Sequence, residues 1–354
     1  MNSLGCSRKV YNKLLEDYIK LRETNPKAKW DGYENVKKLV LLKKDPDFLF
    51  LNDVSSVALQ QSVRHLDTSV KRFFKKISKF PRFKSRKRNH GFTLTKSAFS
   101  IKDGELYIAK CKEPLKVVYS RPLPEGLEPT SVTISRKASG RWFVSFAFED
   151  ERFPTLPKSN NSIGIDLGLE SYLTTDKGFK VENPRFYRKH QVRLAREQRK
   201  LSRKKYDSEN YHKQRRKVSK IHEAIANIRK DFLHKLSTKL IRDNQTIVVE
   251  DLCITDMIKT ASKGLRKSIY DASWGEFLRQ LEYKAFWYGR TFVKVDRFFP
   301  SSQICNNCGC KHPGKLDLSV RSWKCQNCEA VLGRDTNAAK NILTAGLAVS
   351  PVGF

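Results

Sequence analysis

The stretch that decides the fold is SSQICNNCGCKHPGKLDLSVRSWKCQNCEAVLGRDTNAAKNIL, from Ser301 to Leu343. Two Cys-x-x-Cys pairs in it are followed directly by an acid that opens a predicted helix: Cys305, Cys308, Cys325, Cys328 and Asp335. Two short cysteine knuckles at this separation are typical of a structural zinc ribbon, in which four thiolates surround the ion. Gly309 helps the first knuckle to bend, and Cys310 is an extra thiol that could exchange with Cys308. A pair of redox dithiols is the alternative interpretation.

The predicted ribbon lies between a strand, TFVKVDR, and the helix DTNAAKNIL. So short an insertion has little apolar core, so the metal must supply much of its folding free energy. This arrangement predicts a structural Zn²⁺ site beside the carboxylate of Asp335.

Two further acids stand at the ends of apolar strands. Asp166 follows the run SIGI between Gly164 and Gly168, and Glu250 ends the run TIVVE. Carboxylates at such edges suit Mg²⁺, which is held by few protein oxygens together with water and substrate phosphate. Each acid also has an ordinary explanation: Asp335 as a helix N-cap, Glu250 as a solvated strand end beside a competing Asp251, and Asp166 as a turn former.

The composition indicates a polyanionic partner. Lys and Arg outnumber Asp and Glu by 70 to 37 in 354 residues, a net charge of +33. Nucleic acid is the common reason for such an excess; an acidic membrane surface or a merely solvated basic face is the alternative. The longest apolar runs, KLVLLKK and DFLFL, are far too short to cross a membrane, and the N-terminus lacks the apolar core of a signal peptide. Scattered cysteines with one paired set favour a reducing, intracellular compartment.

Periodicity divides the chain into a helical region, a strand-rich region and an α/β region. Apolar residues recur every three or four positions from about 8 to 80, and every second position from Phe92 to about Phe148. Beyond the linker FPTLPKSNNS, strands alternate with long helical segments, which predicts an α/β fold. A long basic helical pair is predicted over 186–243, and a polar loop is predicted between the strand QTIVVEDL and the helix SWGEFLRQLEYKAFWYG.

Two basic segments are candidates for nucleic-acid binding. One contains a cation cluster between aromatic residues: Arg82, Lys84, Arg86, Lys87 and Arg88. The other, QVRLAREQRKLSRKKY, presents Arg193, Arg196, Arg199 and Arg203, and Val192 and Leu194 are predicted to face the core. Both segments are predicted to contact phosphates, although a solvated loop would explain the first equally simply.

Five motifs in this order, GIDLGL, VVEDL, SSQICNNCG, WKCQNC and GRDTNAAKNI, resemble the RuvC-type nuclease domain of TnpB proteins. These are transposon-encoded, RNA-guided DNA endonucleases related to type V CRISPR effectors, and the resemblance covers about residues 160–345. It implies an RNase H-like (RuvC) α/β fold with an inserted zinc ribbon. It also implies that Asp166, Glu250 and Asp335 are catalytic Mg²⁺ ligands, and that Zn²⁺ is bound by Cys305, Cys308, Cys325 and Cys328.

The resemblance further implies a domain order. Residues 1–80 would form a helical recognition insertion of an N-terminal β-barrel (wedge) at 81–155. Residues 156–300 and 331–354 would form the nuclease domain, and residues 301–330 the ribbon. Family members usually begin with a strand and half a helix before the segment resembling LGCSRKVYNKLLEDY, so the first barrel strand is predicted to be absent.

The implied partners are a guide RNA with a structured scaffold and target double-stranded DNA in the prokaryotic cytoplasm, bound by a monomer or a homodimer. The guide would read sequence by base pairing, while the protein grips the backbone and reads a short flanking DNA motif. Two alternatives stay open: a guided DNA-binding regulator that does not cut, and an unguided RuvC-like nuclease. A transposase is less favoured, because no His-hydrophobic-His motif with a paired Tyr is recognised.

Overall fold

The computed structural model describes residues 2–85, 90–150, 155–314, 316–317 and 319–348. It divides into two compact units, Met1–Glu151 and Arg152–Phe354. The helical and strand-rich segments that the sequence separates near residue 80 both lie in the first unit. No helix in the described ranges is long and apolar enough to cross a membrane.

Three helices build one core of the first unit: α1 (Asn2–Thr24), α2 (Gly32–Leu42) and α3 (Ser56–Phe74), with a 3₁₀ segment at Pro46–Asp53. Their apolar residues recur at helical spacing, so Val10 and Leu14 of α1 meet Leu59, Val63 and Leu66 of α3 in the interior. The prediction of helices between about 8 and 80 is confirmed.

The strands of the first unit form two small antiparallel sheets. The strands are β1 (His90–Thr95), β2 (Phe99–Lys102), β3 (Glu105–Ile108), β4 (Ser131–Arg136) and β5 (Trp142–Ala147). One sheet has the order β1-β4-β5, and β2 pairs with β3 in the other. The predicted strand LKVVYS contributes a single bridge between Leu115 and Leu106. Among the described residues the strands do not close into a barrel, so the wedge barrel stays a prediction.

The second unit has the predicted α/β character. Its main sheet contains β6 (Ser162–Leu167), β7 (Ser171–Thr175), β8 (Lys180–Glu182), β9 (Thr246–Glu250) and β10 (Thr291–Val295). A smaller hairpin is made by β11 (Ser322–Lys324) and β12 (Val331–Gly333). The main sheet has the order β10-β9-β6-β7-β8. Strands β6, β9 and β10 are parallel, and β7 runs antiparallel to both of its neighbours.

The helices of the second unit are α4 (Phe186–Ser202), α5 (Glu209–Asp243), α6 (Ile254–Thr260), α7 (Lys263–Ala272), α8 (Trp274–Tyr288) and α9 (Arg334–Ala348). Helices α4 and α5 are the predicted basic pair. The predicted polar loop before α8 is wrong, because that segment forms α6 and α7. Ser262 caps α7 by accepting a hydrogen bond from the Leu265 amide, and the buried Ile269 and Ala272 anchor the helix in the core. The sequence does carry helical spacing here, since Ile254, Met257 and Ile258 of α6 also pack against this core.

The two faces of the main sheet are covered by different helices. Side chains of a strand alternate between faces, and Ile163, Ile165 and Val249 pack into the large core with α5 and α8. Val248 stands between Ile247 and Val249 in β9, so its side chain points to the opposite face of the sheet. There it packs with Ile342 of α9. Positions 164 and 248 therefore belong to the face that α9 covers.

Two glycines let α9 approach this face closely. A Cβ at Gly164 would meet the carbonyl oxygen of Ala339 and the side chain of Leu343, and a Cβ at Gly346 would meet the side chain of Val248. The backbone of the helix thus lies directly on β6, at a separation that any larger side chain at Gly164 would prevent.

Candidate active site and metal centre

The three candidate carboxylates come together because of strand alternation. Asp166 stands two residues after Gly164, and Glu250 stands two residues after Val248, so both belong to the face covered by α9. In the parallel pair β6–β9, Ile165 is registered with Val249, one residue before each acid. Asp335 lies in the first turn of α9. The helix begins at Arg334, so Asp335 is inside the first turn and not at the N-cap position.

Asp166 is the most perturbed acid of the three. Burial raises the pKa of its carboxyl to about 7, and the negative charges of Asp335 and Glu250 add to the shift, while Arg334 opposes it. Burial and the neighbouring Asp251 raise the pKa of Glu250. The Lys180 ammonium lies 3.8 Å from Oδ2 of Asp335. Among the ion pairs of the described residues, none engages Asp166 or Glu250.

This donor set fits a hard divalent cation. The three partly buried carboxylates repel one another, and Arg334 and Lys180 compensate only part of their charge. A bound Mg²⁺ would reduce the remaining penalty. In the described ranges, only the four cysteines form a group of three or more His, Cys, Asp or Glu side chains close enough to share one ion. The oxygens of the three carboxylates are therefore not all within 4.8 Å of one another, and a Mg²⁺ held by them would complete its shell with water and substrate oxygens.

The four cysteines form a closed metal centre. The Sγ atoms of Cys305 and Cys328 are 3.6 Å apart, those of Cys308 and Cys325 are 3.6 Å apart, and all four lie within 4.8 Å of one another. A tetrahedral zinc with Zn–S bonds of about 2.3 Å requires sulfur separations of about 3.8 Å. The quartet fits zinc, and Cys310 lies outside it.

The two knuckles share one backbone geometry. The amide of Gly309 donates to the carbonyl of Cys305 at 2.8 Å, and the amide of Glu329 donates to that of Cys325 at 3.0 Å. In each pair, the residue after the second cysteine has a positive φ: +76° at Gly309 and +59° at Glu329. The first knuckle meets this requirement with glycine, and the second places a glutamate in the left-handed region.

Hydrogen-bond donors around the quartet favour thiolates. The backbone amide of Cys310 and the side chain of Asn327 lower the pKa of Cys308 to about 6, and the side-chain amide of Asn307 lowers that of Cys328. Burial has the opposite effect on Cys305, whose pKa is raised to about 11. Since the thiolate is the form that ligates zinc, these amides prepare the ribbon for the metal.

Two buried asparagines of α9 hold the first knuckle. The side-chain amide of Asn337 donates to the carbonyl of Ile304 at 2.7 Å, and that of Asn341 donates to the same carbonyl at 2.6 Å and to the carbonyl of Ser301 at 2.8 Å. The Asn337 carbonyl oxygen accepts from the amide of Asn306 at 2.9 Å. Sequence reasoning missed this bridge. The sequence feature that could have revealed it is the pair of asparagines four residues apart in NAAKN, on a helix face that should otherwise be apolar.

Comparison with known proteins agrees with this geometry. Residues 144–261 match the OrfB_IS605 family model, described as "Probable transposase", and residues 274–342 match the Cas12f1-like TNB domain. A Streptomyces pristinaespiralis protein provisionally named RNA-guided DNA endonuclease is 48% identical over 99% of this chain and 86% of its own. InsQ of Escherichia coli K12, provisionally given the same name, is 33% identical over 99% of this chain and 89% of its own. The chain belongs to the TnpB family.

The fold also matches a solved effector. The structure of a Cas12f1–sgRNA–target DNA complex aligns with a TM-score of 0.60 at 14% identity, covering 96% of this chain and 81% of the Cas12f1 chain. At this identity the likeness concerns the fold alone. It supports the predicted mixed α/β fold.

A basic basin lies in the same unit of this TnpB chain as the carboxylates. It is a cavity of about 720 Å³ whose cationic lining side chains are Arg185, Arg188, Lys267 and Arg321. Two acids share the lining, but Asp271 is bound by Arg229 at 2.6 Å and Glu170 pairs with Arg321. The Arg334 amide donates to the carbonyl of Arg321 at 2.9 Å, which connects the basin to the residue before Asp335. No single sequence segment predicts it, because its cations come from three separated stretches.

The first predicted phosphate-gripping segment is described in part. Arg82 is exposed. Lys84 instead lies with Nζ 4.0 Å from the Tyr11 ring centroid, and its main chain exchanges two hydrogen bonds with the Asn12 side chain, at 2.8 and 3.0 Å. Burial lowers the pKa of Lys84. Arg86, Lys87 and Arg88 lie outside the described residues.

The second predicted segment is α4 with its C-cap residue Arg203. The four predicted arginines are all exposed: Arg193, Arg196, Arg199 and Arg203. Leu194 is buried as predicted, but the prediction for Val192 is wrong, since 80% of it is exposed. Helix α4 packs on α5 through Leu194 and Leu201 with Val218 and Ile221, so Val192, two residues from Leu194, points away from the contact. Nucleic-acid contact by the four arginines stays a prediction.

Proposed function

We propose that this TnpB family member is an RNA-guided DNA endonuclease that cleaves double-stranded DNA beside a short flanking motif by Mg²⁺-dependent phosphodiester hydrolysis. The observation that carries the proposal is the convergence of Asp166, Glu250 and Asp335 on the one sheet face that α9 covers. Burial and like charge at this place are typical of catalytic carboxylates.

In the proposed reaction, the three carboxylates hold Mg²⁺, which when bound activates the attacking water and stabilises the leaving oxygen. Asp166 must be deprotonated to act as a ligand, and its pKa of about 7 means that proton loss accompanies metal binding near neutral pH. The Lys180 ammonium stands beside Asp335 and can contact a substrate phosphate. The cations of the basin would orient a single DNA strand, since a cavity of about 720 Å³ has room for about one or two nucleotides.

The proposed partners are a guide RNA and target DNA. The two relatives carry RNA-guided DNA endonuclease in their names, the solved fold match is a complex with sgRNA and target DNA, and the net charge of +33 suits two polyanions. We assign the helical region 1–80, the strand-rich region 81–155 and helices α4 and α5 to grip RNA and heteroduplex. The Cys₄ ribbon would be structural, and its thiolates suit the reducing prokaryotic cytoplasm.

The test is expression from the native locus, sequencing of copurifying RNA, and an Mg²⁺ cleavage assay on duplex DNA matched to that RNA. We expect a discrete RNA with a variable 3′ guide, and cleavage that Asp166→Ala, Glu250→Gln or Asp335→Asn lowers by at least about 10³-fold. Glu282→Gln is the matched control, since this exposed acid pairs with Lys294 at 3.4 Å, and it should cut normally.

The alternatives have distinct outcomes in the same preparation. A specific RNA without cleavage would replace the nuclease with a guided DNA-binding regulator. Cleavage without any specific RNA would indicate an unguided nuclease. The mass of the RNA-loaded particle in solution would distinguish a monomer from a homodimer.

A further inference from the structure

The link between the zinc ribbon and α9 is built from buried amides. Asn337 is 1% exposed and Asn341 is 6% exposed, so no water competes for their hydrogen bonds. The Nδ2 atoms of both side chains lie within hydrogen-bond distance of the carbonyl oxygens of Ser301 and Ile304. Two asparagines thus satisfy the same pair of carbonyls, and Asn337 also accepts from the Asn306 amide.

This link joins two metal-binding elements without a flexible intermediate. Ile304 directly precedes Cys305, a member of the cysteine quartet. Asn337 follows Asp335 by two residues, and Asn341 lies one turn further along the same helix. A displacement of the first knuckle would therefore move α9 or break buried hydrogen bonds, which is energetically costly.

The orientation of α9 is in turn decisive for the carboxylates. Helix α9 contacts Gly164 of β6 through Ala339 and Leu343. Its first turn carries Asp335, and β6 carries Asp166. Packing of Ile342 against Val248 also holds the helix. The hydrogen bonds nearest Asp335 join α9 to the ribbon, since Arg334 donates to the carbonyls of Arg321 and Asp317, and Asn337 donates to that of Ile304.

We propose that Asn337 and Asn341 are positioning residues that couple the zinc-loaded first knuckle to Asp335, so that zinc in the ribbon raises the affinity of the carboxylate centre for its divalent cation. The coupling is reciprocal: a cation at the carboxylates slows loss of zinc. This inference rests on the proposed role of Asp335 as a metal ligand. If the two asparagines only stabilised the loop, they would stabilise the fold without changing the affinity of the carboxylates for the cation.

The experiment measures Mn²⁺ binding to the zinc-loaded full-length chain by electron paramagnetic resonance, with Mn²⁺ as the spectroscopic substitute for Mg²⁺. Asn341→Ala and Asn337→Ala are compared with Thr344→Ala, an exposed position on the same helix, and with Asp335→Asn, which defines binding outside the site. We expect each asparagine variant to weaken Mn²⁺ about tenfold, the size typical of residues that orient metal ligands, and Thr344→Ala to bind as the wild type.

A second arm removes zinc from each protein with a chelating dye and repeats the Mn²⁺ titration. Zinc removal should weaken Mn²⁺ binding in the wild type and weaken it less in the double variant Asn337→Ala/Asn341→Ala, because only the hydrogen bonds of Arg334 to the ribbon remain there. Mn²⁺ should slow zinc release from the wild type but not from the double variant.

Each outcome decides the question. No Mn²⁺ binding by the wild type above the Asp335→Asn level would overturn the proposed function itself. Mn²⁺ binding above that level with the same affinity in the wild type and in both asparagine variants would overturn the coupling while leaving the proposed nuclease function intact. If an alanine variant does not fold, Asn341→Leu keeps the side-chain volume without the donor, and an unchanged Mn²⁺ affinity in that folded protein would also reject the proposal.

Discussion

The fold and the proposed metal-binding role favour different protonation states of Asp166. Its strand buries it beside two other acids, which favours the protonated carboxyl, whereas a metal ligand must be ionised. With a pKa raised to about 7, the group holds its proton in the metal-free fold at pH values where the unfolded chain has already lost it. Since unfolding then releases a proton, the metal-free protein loses stability as pH rises from about 4 through 7.

We predict that Asp166→Asn stabilises the protein in Mg²⁺-free buffer at pH 8 by on the order of 2 kcal/mol. The amide removes the buried charge, so the gain should shrink toward pH 5, where the wild-type carboxyl is largely protonated. Urea unfolding at the two pH values measures this, with zinc kept in the buffer. An Asn variant less stable than the wild type at pH 8 would contradict the assignment of Asp166 as an uncompensated buried charge.

Helix α9 is the element that organises the site. It closes the sheet face of Asp166 and Glu250, carries Asp335 in its first turn, and binds the first knuckle through Asn337 and Asn341. Its seat on Gly164 depends on the missing side chain, because the atoms that a Cβ would meet include the rigid backbone carbonyl of Ala339.

We predict that Gly164→Ala lowers the free energy of unfolding by about 1–3 kcal/mol, the usual cost of overpacking. Because α9 must shift to admit the methyl group, Mg²⁺-dependent cleavage should also fall at least tenfold. Denaturant unfolding and the cleavage assay measure the two effects. Gly5→Ala is the control for stability: it lies in α1 with no atom within 4 Å of its added Cβ, and better helix propensity should stabilise it by about 0.5–1 kcal/mol.

In the zinc ribbon, matched cysteine variants can distinguish a zinc ligand from a neighbouring free thiol. We predict that Cys308→Ser lowers zinc affinity at least a hundredfold, because a tetrahedral Cys₄ site loses one of its four thiolates. Cys310→Ser should retain one zinc per chain, since that exposed thiol is outside the quartet. Zinc content and a competitive chelator titration decide it; zinc retained in each single variant and lost only in the double variant Cys308→Ser/Cys310→Ser would mean that Cys310 exchanges with Cys308.

At the scale of the whole molecule, excess positive charge is the dominant property. The basin shows how the fold concentrates it: Arg185, Arg188 and Lys267 reach one cavity and have no ion pair among the described residues. Cations brought together in this way release condensed counterions when a strand binds, so affinity must depend strongly on salt.

We predict that binding of a short single-stranded DNA weakens linearly with log salt concentration. Arg188→Gln and Lys267→Gln should each reduce the slope by about 0.7, the value for one phosphate contact on a single strand. Lys294→Gln should leave the slope unchanged, because this lysine pairs with Glu282 outside the basin. Fluorescence anisotropy across a salt series measures the slopes, and unchanged slopes in both basin variants would exclude the basin from the strand path.

Local pattern determined a large part of this protein. The cysteine spacing predicted the quartet, because a knuckle is a turn of a few residues whose geometry is encoded within it. The apolar runs before Asp166 and Glu250 predicted buried strands, and helical spacing predicted α1, α3, α4 and α5. The order of these motifs was enough to indicate the TnpB family, which the two long relatives then established.

Only the tertiary structure decided which side chains share an environment. Strand alternation and register placed Asp166 and Glu250 on one face, and the glycine seat of α9 brought Asp335 to it. Contacts between segments distant in sequence also made the basin, the burial of Lys84 against Tyr11, and the amide bridge from Asn337 and Asn341 to the zinc knuckle. Such contacts depend on packing between elements, whereas periodicity and spacing report only the preferences of each element alone.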